Sequence, residues 1–96
     1  MIKVKALIKL NEFNRKTPIK SGYTPDFDFI EKTLTGGCII LPNQDLLFPS
    51  DSAEVEIRFL NKEYLGDNFG SGTKFIFYEG RVPTGQGKII SVLQWE

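Results

Sequence analysis

Hydrophobic and polar residues alternate over the first ten positions: Ile2, Val4, Ala6, Ile8 and Leu10 take one side, Lys3, Lys5 and Lys9 the other. A period of two sends successive side chains to opposite faces of an extended chain, so residues 2–10 read as a half-buried strand. The alternation returns at Asp26-Phe27-Asp28-Phe29 and runs toward Thr33, and Gly36-Gly37 signals a turn or bulge before Cys38–Leu41. Pro42-Asn43-Gln44-Asp45 and Pro49-Ser50-Asp51 read as turns on either side of Leu46–Phe48. Over 53–60, Glu54, Glu56 and Arg58 oppose Val55, Ile57 and Phe59. Residues 61–72 are polar and glycine-rich, and a short helical turn fits only within 60–65. Strands follow at about 73–79 and 87–95, joined through Gly80–Gly85. Six strands with irregular connections predict an all-β domain, and the pattern alone leaves barrel and sandwich open.

The last two strands are apolar on both sides. Phe75 and Phe77 oppose Ile76 and Tyr78, while Ile89, Leu93 and Trp95 oppose Ile90 and Val92. A barrel wall has one inner face, so its outer apolar side needs cover from the long loops or from a partner.

The stretch from Arg15 to Phe27 links two strand-like runs. Pro18 and Pro25 fix φ and push Thr17 and Thr24 into extended geometry, while Gly22 permits a turn unfavourable to other residues. The loop therefore has a defined path with a basic entrance at Arg15, Lys16 and Lys20.

Ninety-six residues, 41% hydrophobic and 25% charged, make one globular domain spanning 1–96. Net charge is zero but unevenly spread, with six basic residues against one acidic in 1–24 and six against eleven in 25–96. Such asymmetry marks either a polyanion-binding patch or simply the solvent face of a lysine-bearing strand. The single cysteine, Cys38, excludes an internal disulfide and reads as a small buried residue. Lysines interrupt any apolar run at the N-terminus and no stretch has the length of a membrane span, so the expectation is a cytoplasmic protein that does not engage a membrane.

Several chemistries are missing from the residue list. Without histidine there is no Ser-His-Asp or Cys-His constellation and no histidine metal site. The pairs Asp26/Asp28 and Glu54/Glu56 each share a strand face, which exposed alternation produces by default. Gly70-Ser71-Gly72 and Gly85-Gln86-Gly87 lack the third glycine of a dinucleotide loop, and no Gly-Lys-Ser/Thr occurs. The expectation is a chain that is not an enzyme and has no catalytic residue, metal, nucleotide or other cofactor.

Arg15-Lys16-Thr17-Pro18, three residues, then Gly22-Tyr23-Thr24-Pro25-Asp26-Phe27 resembles the Arg-His-Thr-Pro-x-x-x-Gly-Tyr-Arg-Pro-Gln-Phe segment of the C-terminal, third domain of translation elongation factor Tu. Thr35-Gly36 with Ile40-Leu41-Pro42 is similar to that family's Thr-Gly-x-Ile-x-Leu-Pro, with one extra residue. Phe48-Pro49-Ser50-Asp51 sits where the family has Met-Pro-Gly-Asp. Lys74-Phe75-Ile76-Phe77-Tyr78-Glu79-Gly80 resembles Arg-Phe-Ala-Ile-Arg-Glu-Gly, and Gly85-Gln86-Gly87-Lys88-Ile89-Ile90 resembles Gly-x-Gly-Val-Val. The matches keep their order across nearly the whole chain. The resemblance implies a six-stranded antiparallel Greek-key barrel without the GTPase domain of the factor.

It also implies binding. In the factor the matching loop contacts the T-stem backbone of aminoacyl-tRNA, so an RNA-binding set would comprise Arg15, Lys16, Lys20 and Thr35, touching phosphates of a tRNA or another structured RNA. Departures weigh against it: Asp26 replaces a glutamine, Thr24 an arginine, and Val82 and Pro83 polar residues. In the factor this domain also packs on its neighbouring barrel and GTPase domain. That points to a protein partner of the translation machinery, or to mimicry of the factor, through Ile76, Tyr78 and Glu79. Protein docking is the leading expectation and RNA binding the alternative.

Overall fold

The computed structural model of the chain describes all 96 residues. Six strands close into an antiparallel barrel: β1 (Ile2–Leu10), β3 (Asp26–Ile30), β4 (Thr33–Ile40), β6 (Ser52–Phe59), β7 (Lys74–Glu79) and β8 (Val82–Trp95). Around the wall they run β1-β6-β4-β3-β7-β8 and back to β1. Two short strands, β2 (Ile19–Lys20) and β5 (Leu46–Leu47), form a separate ladder, and Lys62–Tyr64 make one 3₁₀ turn. No helix is long and apolar enough to cross a membrane.

Alternation does what the sequence promised in β1 and β6. They pair without interruption from Ile2↔Phe59 to Lys9↔Ser52, with Val4, Ala6, Ile8, Val55 and Ile57 buried inside. At the centre Phe27 packs against Phe59 (5.1 Å between ring centroids), Phe75 (5.5 Å), Phe77 (5.8 Å) and Phe29 (5.9 Å). So many rings leave no room beside them, and this explains two departures from the expected layout.

Gly36-Gly37 is not a turn. β4 runs straight through it, and the chain reverses earlier, at Glu31-Lys32, where Lys32 takes φ 64°. A Cβ on Gly37 would lie 2.7 Å from the Phe59 ring and 2.8 Å from that of Phe27. Residues 82–86 are likewise strand, because the β7–β8 turn needs only Gly80-Arg81. A Cβ at Gly85 would fall 2.1 Å from Phe77 Cζ, and one at Gly87 would fall 2.7 Å from Phe75 Cζ. These glycines are the cross-strand partners of phenylalanines on adjacent strands (Gly37↔Phe59, Gly85↔Phe77, Gly87↔Phe75), where small and large residues of a narrow barrel must complement each other.

The expected faces of β8 also change. Against β1 it pairs Ile89 with Ala6, Ser91 with Lys5, Val92 with Val4, Gln94 with Lys3 and Trp95 with Ile2. Ile90 and Leu93 are skipped, each at a register shift that acts as a bulge. Ile89, Val92 and Trp95 thus share the side of buried β1 residues, and Leu93 does not join Ile89. Trp95 reaches Phe69 at 6.1 Å between centroids. Cys38 stands half-buried opposite Arg58 rather than in the core, since Gly37 and Ile39 hold the inward positions.

Candidate interaction site

The 15–25 loop has the fixed path its prolines and glycine demand, and the bonds that fix it are visible. Ile39 N–H donates to Tyr23 O (2.8 Å), Gly22 N–H to Ile39 O (2.7 Å), Leu41 N–H to Ser21 Oγ (3.0 Å) and Gly37 N–H to Pro25 O (3.2 Å). Gly22 sits at φ 97°, where a side chain is strained. Ile19 and Leu47, paired across the small ladder, are buried and bind the loop to the core.

Within this frame Arg15 turns inward. Its Nε donates to Thr17 O (2.9 Å) and its Nη2 to Pro18 O (3.3 Å), while Nη1 forms an ion pair with Glu79. The guanidinium carbon lies 5.1 Å from the centre of the Tyr23 ring, close enough for a cation–π contact. Only 17% of the Arg15 side chain is exposed. Tyr23 in turn donates its O–H toward Glu79 Oε1 (2.9 Å) and lies 3.1 Å from Thr84 Oγ1. Burial pushes the Tyr23 phenol up to about 12, and the Glu79 carboxylate adds to the rise against the opposing Thr84 contact. Arg15, Tyr23, Glu79 and Thr84 therefore form one polar clasp holding the loop to β7 and β8.

The other residues singled out from sequence are dispersed. Lys16 is exposed and donates to Glu12 O (3.1 Å), and Lys20 is exposed on β2. Thr35 is 8% exposed and lies opposite Phe27 on the inward side of β4. The structure thus leaves Lys16 and Lys20 at the surface, ties Arg15 into the clasp and buries Thr35. Of the docking set, Ile76 and Tyr78 share the outer side of β7, while Glu79 belongs to the clasp.

The outer sheet is organised by a carboxylate. Where β3 leaves β7 after the pairs Asp26↔Tyr78 and Phe27↔Phe77, Asp28 bends across the gap. It accepts the Ile76 N–H on Oδ1 (2.8 Å) and the Tyr78 O–H on Oδ2 (3.1 Å). Partial burial, followed by the Asp28 carboxylate, raises the Tyr78 phenol above its ordinary value. The two carboxylates of the second sequence pair are also engaged, Glu54 with Lys5 (3.2 Å) and Glu56 with Arg58. No long loop covers Ile76, which is 39% exposed, or Leu7 on β1, which is 44% exposed.

Both flank a depression of about 700 Å³ on the outer wall of β1, β7 and β8, together with Lys9, Lys74, Gln86 and Lys88. Sequence reasoning found Ile76 here and missed the rest. Alternation shows that these residues face outward, but their neighbours depend on the order in which the barrel closes. No known protein family's sequence profile matches the chain.

Proposed function

We propose that this chain is a non-catalytic binding barrel of the kind that ends elongation factor Tu, and that it engages a protein of the translation machinery through the outer wall of β7. The strand path supports the kinship: β3, β4 and β6 are successive neighbours and β1 lies beside β6, the spatial order of a Greek key. The observation that carries the docking role is Ile76. It stands uncovered on the outer wall, with Leu7 exposed on the same wall and the Tyr78 O–H held by Asp28. An apolar group held rigidly in water is what a partner surface needs, because little ordering entropy is left to lose on binding.

RNA contact is the second reading, favoured by Lys16 and Lys20, two exposed cations with no acidic partner in the fold. Affinity-tagged wild type and Ile76→Asp chains incubated with native cell extract, with retained proteins and RNAs both identified, test the two together. The expected result is a translation protein held by wild type in high salt and after ribonuclease treatment, and lost with Ile76→Asp. Equal recovery by both chains refutes the docking role. An RNA whose retention falls steeply with salt, and falls further with Lys16→Ala and Lys20→Ala, establishes the second reading instead.

A further inference from the structure

The outer wall around Ile76 carries a charge pattern the fold does not need. Across β7, β8 and β1 the outward residues stand in two rows, Lys74↔Lys88↔Leu7 and Ile76↔Gln86↔Lys9. Three of these six are lysines and none is acidic. All three ammonium groups lie outside the ion pairs of the fold, which use Lys5, Arg15, Arg58 and Lys62. Lys74 and Lys88 are direct cross-strand partners, an arrangement of like charges that destabilises a sheet.

The acids nearest the patch are occupied. Asp28, which lines the depression, accepts hydrogen bonds from Ile76 N–H and Tyr78 O–H, and Glu54, which continues the first row onto β6 opposite Leu7, is paired with Lys5. The depression therefore sets three lysines against the single carboxylate of Asp28, a net positive charge, beside two exposed aliphatic side chains.

We propose that this three-strand depression binds an acidic, extended protein segment, carboxylates on Lys9, Lys74 and Lys88 and apolar side chains on Leu7 and Ile76. The charge selects an anionic ligand, and the two aliphatic groups favour a polypeptide over a phosphate backbone, which has nothing to place on them. The carboxylates of the segment relieve the Lys74–Lys88 repulsion, so binding strengthens a site that is under electrostatic stress when empty. The inference rests on the docking role proposed for β7 and specifies the chemistry of what docks there.

The test is a titration of the isotopically labelled 96-residue chain, followed by methyl and lysine NMR signals. The probes are a short peptide alternating Glu and Leu, its Lys and Leu counterpart, and an RNA duplex. The expected outcome is saturable shifts at Leu7, Ile76, Lys74 and Lys88 with the Glu-Leu peptide alone. Lys74→Glu then weakens that binding roughly tenfold or more, because it sets like charge against the ligand. The same substitution leaves thermal stability equal or higher, since it replaces a Lys–Lys pair by an opposite-charge pair.

Absence of shifts at the patch overturns the inference, as does equal binding of the RNA duplex there. If Lys74→Glu leaves peptide affinity unchanged while Ile76→Asp abolishes it, the docking surface stands and its acidic specificity falls. If neither substitution matters, both fail.

Discussion

Replacing Arg15 by alanine separates a side chain that holds the fold from one that waits for a ligand. In the structure the guanidinium makes an ion pair with Glu79, two hydrogen bonds to loop carbonyls and a cation–π contact with Tyr23. Glu79 is 45% exposed, so the ion pair is worth about 0.5–1 kcal/mol after solvent screening. The ring contact adds about 0.5–1 kcal/mol. The carbonyls of Thr17 and Pro18 regain water once the side chain is gone, which leaves about 0.5 kcal/mol for those bonds. The total is about 2 kcal/mol, and in a domain of this size it lowers Tm by about 10 °C. Lys16→Ala is the internal control. It removes one exposed bond to a carbonyl and should stay within about 0.5 kcal/mol of wild type. Thermal and urea unfolding of both variants, followed by circular dichroism, provide the measurement. An Arg15→Ala chain as stable as Lys16→Ala would show that the clasp does not hold the loop, and the arginine would then be a ligand contact as its sequence context suggests.

Two further outcomes follow from the geometry. Gly37→Ala should cost about 3 kcal/mol, the upper part of the overpacking range, because its Cβ has two aromatic rings inside 3 Å. Gly36→Ala, whose nearest neighbour is Asp26 Oδ1 at 3.8 Å, should lie within about 1 kcal/mol of wild type by urea denaturation; equal losses would mean that the pair is a turn after all. Tyr23 makes stability depend on alkaline pH: its folded value of about 12 exceeds the ordinary 10.0, so the protonated phenol is the form the fold favours. That contribution is complete below about pH 10 and is lost as pH rises toward 12. Two pH units correspond to about 2.7 kcal/mol, which the half-exposed setting of Tyr23 reduces to about 1 kcal/mol. Tyr23→Phe should flatten this part of the stability profile, and an unchanged slope between pH 10 and 12 would count against the assignment.

Most of the wall was legible in the residues because one strongly buried face imposes a period of two. β1 and β6 satisfy it along their whole lengths, and their expected inward residues are the buried ones. What the sequence concealed has two physical sources. Glycine is ambiguous, since it serves both where the backbone must bend and where a ring must approach, and at Gly37 and Gly85 the second use prevails. Bulges are also silent: Ile90 and Leu93 look like ordinary strand residues until the register with β1 is known to skip them, and each shifts the alternation by one position. The site was harder still. Arg15 and Glu79 are 64 positions apart, and a loop arginine beside a lysine gives no local sign that it will be consumed by its own fold. The Lys9, Lys74 and Lys88 cluster is assembled from three strands, so it exists only once the barrel has closed.

The way β1 is held bears on how the protein comes to be made. The first strand is paired on one side with residues 52–59 and on the other with residues 85–95. During synthesis its apolar side, Ile2 to Leu10, must therefore wait for residue 59 before one flank is satisfied and for residue 95 before the other is. Pairings of such sequence separation form slowly and expose sticky intermediates. β8, the last strand made, therefore closes the barrel and covers the second flank of the first.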